Sequence, residues 1–169
     1  IASKSRDDLR LVFFGIKHPN LPLTSRAQKA LSLAKELGLY NRSVFFAQQW
    51  VEYKERADYL LESDIGIISH HQTLETHFSW RTRVLDYFWA DLPAITSAGD
   101  SMAELIKTNR LGKIVPPGDP AELAQAIIEL LENKAEYREI KENIKRFKPS
   151  LYWENVIAPL ERFISQQRS

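Results

Sequence analysis

The sequence predicts an α/β fold: a doubly wound parallel sheet flanked by helices, ending in a helical C-terminal tail. Three observations lead there. Runs of strand length recur at Leu9–Phe14, Ser43–Ala47, Asp64–Ser69, Leu92–Thr96 and Lys113–Val115. The first of them is almost continuously apolar, as strands covered on both faces tend to be. The segments between the runs carry apolar residues at helical spacing, so strands and helices alternate in the manner of parallel βαβ units.

Each element has its own signals. Leu9–Phe14 stops at Gly15 and reads as a buried parallel strand. A turn-rich stretch with Pro19, Asn20 and Pro22 follows. Thr24 or Ser25 then caps a helix that carries Ala27, Ala30, Leu31, Ala34 and Leu37 and ends at Gly38. After the strand at Ser43–Ala47, the stretch Tyr53–Glu62 reads as a helix presenting Ala57, Leu60 and Leu61. Asp64–Ser69 is the third strand, and a polar loop runs from His70 to Trp80. Arg81–Ala90 is a helix with an apolar stripe of Val84, Leu85, Phe88 and Trp89. Leu92–Thr96 is a strand and Ser101–Thr108 a helix, with Ser101 and Glu104 at capping-box spacing. Lys113–Val115 is the last strand. Asp119 and Pro120 open a further helix as N-cap and first residue, with Leu123, Ala126, Ile127, Leu130 and Leu131 on its apolar face. From Lys134 to Ser169 the chain reads as helix, broken at Lys148–Ser150.

Composition narrows the functional classes. The 169 residues are 44% hydrophobic and 27% charged, and they include no cysteine. This excludes a disulfide scaffold, a thiolate metal site and a cysteine nucleophile, and it fits a reducing, cytoplasmic setting. Lys and Arg (23) nearly balance Asp and Glu (22), so the basic excess of a nucleic-acid surface is missing and no nucleic-acid partner is expected. No apolar run has the length of a membrane span. Peripheral contact with the inner face of a membrane is the only membrane association left open.

Open parallel sheets bind ligands beyond the carboxyl ends of their strands, which directs attention to the loops after Phe14, Phe46, Ile68, Thr96 and Val115. The loop after Ile68 is the richest, and long loops of this kind are usually functional or disordered. It leads into Arg81 and Arg83 at the start of a helix, where the macrodipole already disfavours cations. An anionic ligand group would resolve that conflict, because helix N-termini and guanidinium forks both suit phosphate. The plainer alternative is that both arginines are solvated or pair with Glu75 and Asp86. Asp86 lies i+3 from Arg83, a spacing that suits an ion pair and equally a carboxylate accepting hydrogen bonds from a ribose diol. Glu75 is either solvated or a ligand of sugar hydroxyls. Trp50 is either core or a stacking platform for a base, and Gly99 either makes a turn or lets backbone amides approach a phosphate. Gly15 ends its strand without a GxGxxG motif. His70, His71 and His77 lack the i,i+4 spacing of a zinc-binding helix, so no metal is expected.

The stretch from Val84 to Ile95, with Leu85-Asp86-Tyr87 and Ala90-Asp91-Leu92-Pro93, resembles the "EYLAxGxPVI" signature of group 1 (family 4) GT-B glycosyltransferases. Ser43–Phe46 looks like that family's "VxFxG" strand and Leu61–Ser69 like its "aDvxvxPS" strand. Gly112–Asp119 followed by Ala121–Ile127 looks like "GxxVppgDpexLAxAI", and Trp153 resembles the tryptophan opening the family's closing helix. The phrases His18-Pro19-Asn20, Trp50-Val51-Glu52-Tyr53 with Arg56, and Leu74–Arg83 are similar to a bacterial subgroup of polysaccharide-building enzymes.

The resemblance implies a Rossmann-like domain over residues 1–147 that binds a nucleotide-sugar donor, without a separate cofactor. Residues 148–169 would be a helix packing back toward an N-terminal GT-B domain of the same protein, and the family's first βα unit would precede Ile1. The implied reaction transfers a sugar from a nucleotide diphosphate, with retention, to a glycan or lipid-linked acceptor. By residue, Asp86 stands for the glutamate that binds the donor ribose and Glu75 for the one facing the donor sugar. Arg83 and Arg81 would help hold phosphate, Gly15, His18 and Gly99 would line the donor site, and the stretch ending at Trp50 would contact the base. Glu75, Arg81 and Arg83 are the candidates for a catalytic part. The sequence departs from the pattern in the wider spacing of Glu75 and Asp86, in Asp for Glu at 86, and in Asp91 where the family has glycine. Two rivals remain at this stage: an epimerase-type GT-B domain acting on nucleotide sugars, and a non-enzymatic α/β interaction module.

Overall fold

A computed structural model describes residues 1–14, 19–47 and 49–167. Gly15 and His18, both candidate site residues, lie outside the described residues. The chain forms two compact units, Ile1–Tyr59 and Leu60–Ser169. Each contains a parallel sheet with flanking helices, and the fold is the expected α/β, Rossmann-like class with a C-terminal helix.

The first unit contains α1 (Ala2–Ser5), β1 (Leu11–Phe13), α2 (Ser25–Glu36) and β2 (Val44–Phe46), then a 3-10 turn at Tyr53–Glu55; α3 (Arg56–Leu61) follows and spans the boundary between the units. Thr24 is the cap of α2, its hydroxyl accepting from the Ala27 N–H at 3.2 Å. β1 and β2 pair in parallel from Leu11↔Val44 to Phe13↔Phe46, and the rings of Phe13 and Phe46 stack at 4.9 Å. The expectation that β1 is buried fails: Leu11 and Val12 are exposed. A two-stranded sheet has no central strand, so neither strand is enclosed by neighbours on both edges.

The second unit contains β3 (Gly66–Ile68), α4 (Leu74–Phe78), α5 (Arg83–Trp89), β4 (Ala94–Ser97), α6 (Ser101–Asn109), β5 (Gly112–Val115), α7 (Pro120–Glu132) and α8 (Lys134–Phe147). A 3-10 turn at Lys148–Leu151 separates these from α9 (Trp153–Gln167). The sheet order is β3-β4-β5, all parallel, and central β4 is buried at all four positions. Val84, Phe88, Ile95, Met102, Ile106 and Leu130 make the heart of its core. Asp119 caps α7 as expected, accepting from the N–H groups of Ala121 and Glu122 at 2.9 and 3.0 Å. Among the described residues no helix is long and apolar enough to cross a membrane.

Four local expectations are corrected. The polar loop after β3 contains a helical turn, α4. The buried stripe of α5 is Val84, Tyr87 and Phe88, while Trp89 is exposed. The reason is Gly66: the Tyr87 ring lies where a Cβ at that glycine would sit, and its hydroxyl donates to the Ile67 carbonyl at 3.2 Å. Burial pushes the Tyr87 phenol up from its ordinary pKa. The cap of α6 is Asp100 rather than Ser101. Asp100 has the extended backbone of an N-cap (φ −125°, ψ 169°) and its Oδ1 accepts from the Ala103 N–H at 2.7 Å, whereas Ser101 is already helical. The C-terminal helix begins at Trp153, after a 3-10 turn that extends past Ser150.

Asp91 adopts φ 54°, the left-handed conformation that the family's glycine would adopt without cost. Lys148 holds it there: its ammonium lies 2.7 Å from Asp91 Oδ1 and donates to the Trp89 carbonyl at 3.3 Å. In the sheet, Gly112 sits against the backbone of Ala94, and a Cβ would overlap that residue's carbonyl. Gly112→Ala should therefore force β4 and β5 apart and cost about 3 kcal/mol. Urea denaturation of the two proteins measures this, and equal midpoints would refute the close approach.

Candidate functional site

The register of β3-β4-β5 brings three carboxyl ends to one edge: Ile68 pairs with Thr96, and Ser97 with Val115. The loops beyond that edge are tied together. The His70 N–H donates to Ser97 Oγ at 3.2 Å, and the Ala98 N–H to the Val115 carbonyl at 2.8 Å. Two turns with positive φ, Gly99 (109°) and Gly118 (75°), complete the convergence. A Cβ at Gly99 would come within 4.0 Å of Gln72, and one at Gly118 within 3.6 Å of the His71 ring.

α4 positions Glu75 above this edge. The hydroxyl of Thr73 accepts from the Thr76 N–H at 3.1 Å, and the hydroxyl of buried Thr76 accepts from the Thr73 N–H at 2.8 Å. This reciprocal box satisfies two otherwise orphaned donors. Thr76 Oγ1 also lies 3.2 Å from the His71 carbonyl, which ties the helix back to the β3 loop. On the exposed side, Glu75 Oε1 accepts from the Ser79 hydroxyl at 2.7 Å, and its Oε2 stands 3.7 Å from Arg81.

Arg81 joins that exposed carboxylate to a buried one. Its Nε is 3.6 Å from Asp100 Oδ2, and His70 Nε2 reaches the same oxygen at 3.2 Å. The Asp100 side chain is fully buried and that of His70 is 9% exposed. All three atoms are buried and none completes a directional hydrogen bond. The guanidinium and the carboxylate are close enough to attract as opposite charges, but neither nitrogen is aligned with the oxygen as donor and acceptor. The result is a carboxylate inside the protein faced by a guanidinium and an imidazole, with a second carboxylate at the rim.

The sequence candidates divide among three places. Glu75, Arg81 and Gly99 belong to the converging loops. Arg83 is exposed and Asp86 half-buried on the first turn of α5, where their charges act on the Tyr87 phenol, the cation lowering and the anion raising its pKa. Among the described residues no ion pair joins Arg83 to Asp86, although the i,i+3 spacing allows one. Trp50 belongs to the first unit, half-buried, with the Arg56 guanidinium 5.9 Å from its ring centre. The histidines part: His70 faces Asp100, while exposed His77 meets Phe78 edge to face at 4.9 Å. Among the described residues no cluster of three or more His, Cys, Asp or Glu could hold a metal ion.

Sequence reasoning missed Asp100 and weighed His70 only as a metal ligand. One signal was available. Gly99-Asp100-Ser101 offers two residues able to cap a helix, and the aspartate is the one that can also serve a cation. A cavity of about 240 Å³ lies apart from these loops, at the amino end of β5, lined by Lys107, Arg110, Glu136, Glu139 and Asn143 among others. Its charges are largely paired internally: Arg110 meets Glu139 at 2.8 Å, and Glu136 meets Lys113 at 3.2 Å.

Parallel strand ends brought to one edge, with flanking helices, define an α/β domain of the class whose ligands lie beyond the carboxyl ends of the sheet. The chain belongs to the glycosyl transferases group 1 family, whose sequence profile matches residues 1–147. Solved structures agree on the fold. A sucrose-phosphate synthase from Thermosynechococcus elongatus superposes with a TM-score of 0.74 at 20% identity, over 98% of this chain and 40% of that one. The C-terminal domain of LpcC, a group 1 family protein from Francisella tularensis, gives 0.67 at 18% identity, over 85% of this chain and 69% of its own. Anabaena HepE in complex with UDP-glucose gives 0.66 at 18% identity, over 99% and 52%. The chain thus spans about half or less of the full enzymes it matches. Comparison with curated proteins found no match.

The box on α4 generates a prediction. Thr76→Val keeps the shape but removes the hydroxyl that accepts the Thr73 N–H, and should cost about 1–2 kcal/mol. Hydrogen exchange at the amides of Glu75 to Ser79 should quicken, and unchanged protection would count against the box.

Proposed function

We propose that this chain is the donor-binding part of a retaining glycosyltransferase, holding a nucleotide diphosphate sugar for transfer to a glycan or lipid-linked acceptor. The observation that carries the proposal is Arg81, set between Glu75 and buried Asp100 where the loops after β3 and β4 meet, in a chain that belongs to this family. Arg81 and Arg83 are cations near the carboxyl edge, suited to a diphosphate whose charge grows as the glycosidic bond breaks. Asp86, free of Arg83, is available to accept hydrogen bonds from the ribose diol. Glu75, exposed beside Arg81, would face the sugar, and Trp50 the base. Gly15, His18 and Gly99 complete the proposed contacts, and Glu75, Arg81 and Arg83 are the groups proposed to act in catalysis. The donor is the substrate, and no separate cofactor enters the scheme. The acceptor would come from a second domain across a closing cleft, with residues 148–169 reaching toward it.

The solved relatives support this reading as far as their names go: one was studied with UDP-glucose bound, and another is a glycosyltransferase involved in lipopolysaccharide biosynthesis. Titration calorimetry against uridine, guanosine and adenosine diphosphate sugars tests the proposal. One of the three classes should bind saturably, and Arg81→Ala and Asp86→Ala should each weaken it about tenfold, a loss of about 1.4 kcal/mol. Absence of binding, or variants that bind like the parent, would overturn the donor site. Steady turnover by the chain alone would overturn the need for a second domain.

A further inference from the structure

We infer that Asp100 is a positioning residue of this site: from inside the protein it fixes Arg81, and His70 braces it on the other side. The inference rests on the donor-site reading for its consequence, and on geometry for its substance. Among the described residues Asp100 is the one charged residue that is buried. Its Oδ1 is used by the cap of α6. Its Oδ2 has no hydrogen-bond partner of its own and lies 3.2 Å from His70 Nε2 and 3.6 Å from Arg81 Nε. A buried carboxylate is costly unless cations face it, and removing one member of such a group strands the others.

The arrangement also sets how Arg81 is held. The guanidinium is planar, with five N–H groups in a fixed fork. Its Nε edge faces Asp100 and one terminal nitrogen stands 3.7 Å from Glu75. Attraction at the Nε edge restricts where the guanidinium can lie, so the other N–H groups meet an anionic oxygen with less rotamer freedom left to give up. His70 is locked in turn. Its backbone N–H donates to Ser97 Oγ, and its Nδ1 lies 3.4 Å from the His71 carbonyl. The charged and titratable groups facing the cluster come from four segments: His70 after β3, Glu75 on α4, Arg81 before α5 and Asp100 before α6.

Asp100→Asn separates this role from the structural one. Asparagine caps helices as well as aspartate, so the Ala103 N–H keeps its acceptor, but an amide N–H now confronts the Arg81 Nε–H. Asp100→Ser, a shorter uncharged cap, is the second variant should the amide disturb folding. Two readouts decide. In the unliganded protein, the Arg81 Nε–H resonance should be protected from solvent exchange and should lose that protection in both variants; unchanged exchange overturns the positioning role. With UDP, GDP and ADP as probes, Asp100→Asn should weaken the bound nucleotide about tenfold in the parent background and by less than about twofold in an Arg81→Ala background. Equal losses in both backgrounds, or tighter binding, would also overturn it. If no probe binds the parent protein but the exchange readout changes as expected, the donor-site reading fails while the positioning role stands.

Discussion

A single buried negative charge organises the second unit of this protein. Asp100 ends the loop after β4 and begins α6, and both tasks fall to one carboxylate. One oxygen closes the helix and the other draws in His70 from the loop after β3 and Arg81 from the approach to α5. Hydrogen bonds already tie the loops at the strand ends, from the His70 N–H to Ser97 Oγ and from the Ala98 N–H to the Val115 carbonyl. The buried charge adds to them. An ion taken out of water is repaid only when its partners arrive together, so the three loops are placed jointly rather than one at a time.

The same logic appears where the chain departs from its family. Asp91 occupies a left-handed position that glycine adopts freely, and Lys148 holds the aspartate there from across the unit. A residue that is locally unfavourable thus gains a tertiary partner and joins α5 to the turn before α9. A glycine would relieve the backbone but would lose that tie.

The fold was legible because its signals are local. Apolar runs of strand length, Thr24 before α2 and Asp119-Pro120 before α7 each act within a few residues. The misreadings share a different cause. Ser101 with Glu104 matches a capping box in sequence, yet the cap goes to the residue whose backbone is extended, and that is decided by the turn at Gly99. Trp89 fits an apolar stripe on α5, but the helix is rotated to seat Tyr87 over Gly66, a contact twenty-one positions apart in the chain. α4 escaped notice because its box uses Thr76 in place of the usual glutamate or glutamine. β1 reads as buried by composition, and only its pairing with a single neighbour exposes it. At the site, Glu75, Arg81 and Asp86 stood out as charges near a helix start. Asp100 did not, because its partners come from loops far apart in sequence.

The candidate groups therefore fall into two kinds. Arg81 is anchored before any ligand arrives, between a buried carboxylate and an exposed one. Arg83 and Asp86, three residues apart and unpaired with each other, keep their hydrogen-bonding capacity for something else. A guanidinium already fixed loses little entropy when an anion meets it. Side chains left free lose more, but they can adapt to the shape presented. On this division the fixed cation would suit the diphosphate of the proposed donor, while the adaptable pair would suit the parts that differ between donors. Flanking carboxylates also temper the field around Arg81. An anion must compete with Glu75, which is exposed and 3.7 Å away, but need not displace Asp100, which lies on the buried side of the same guanidinium. Exchange at the rim with constancy beneath it would let the cation both receive and release the diphosphate of the proposed donor.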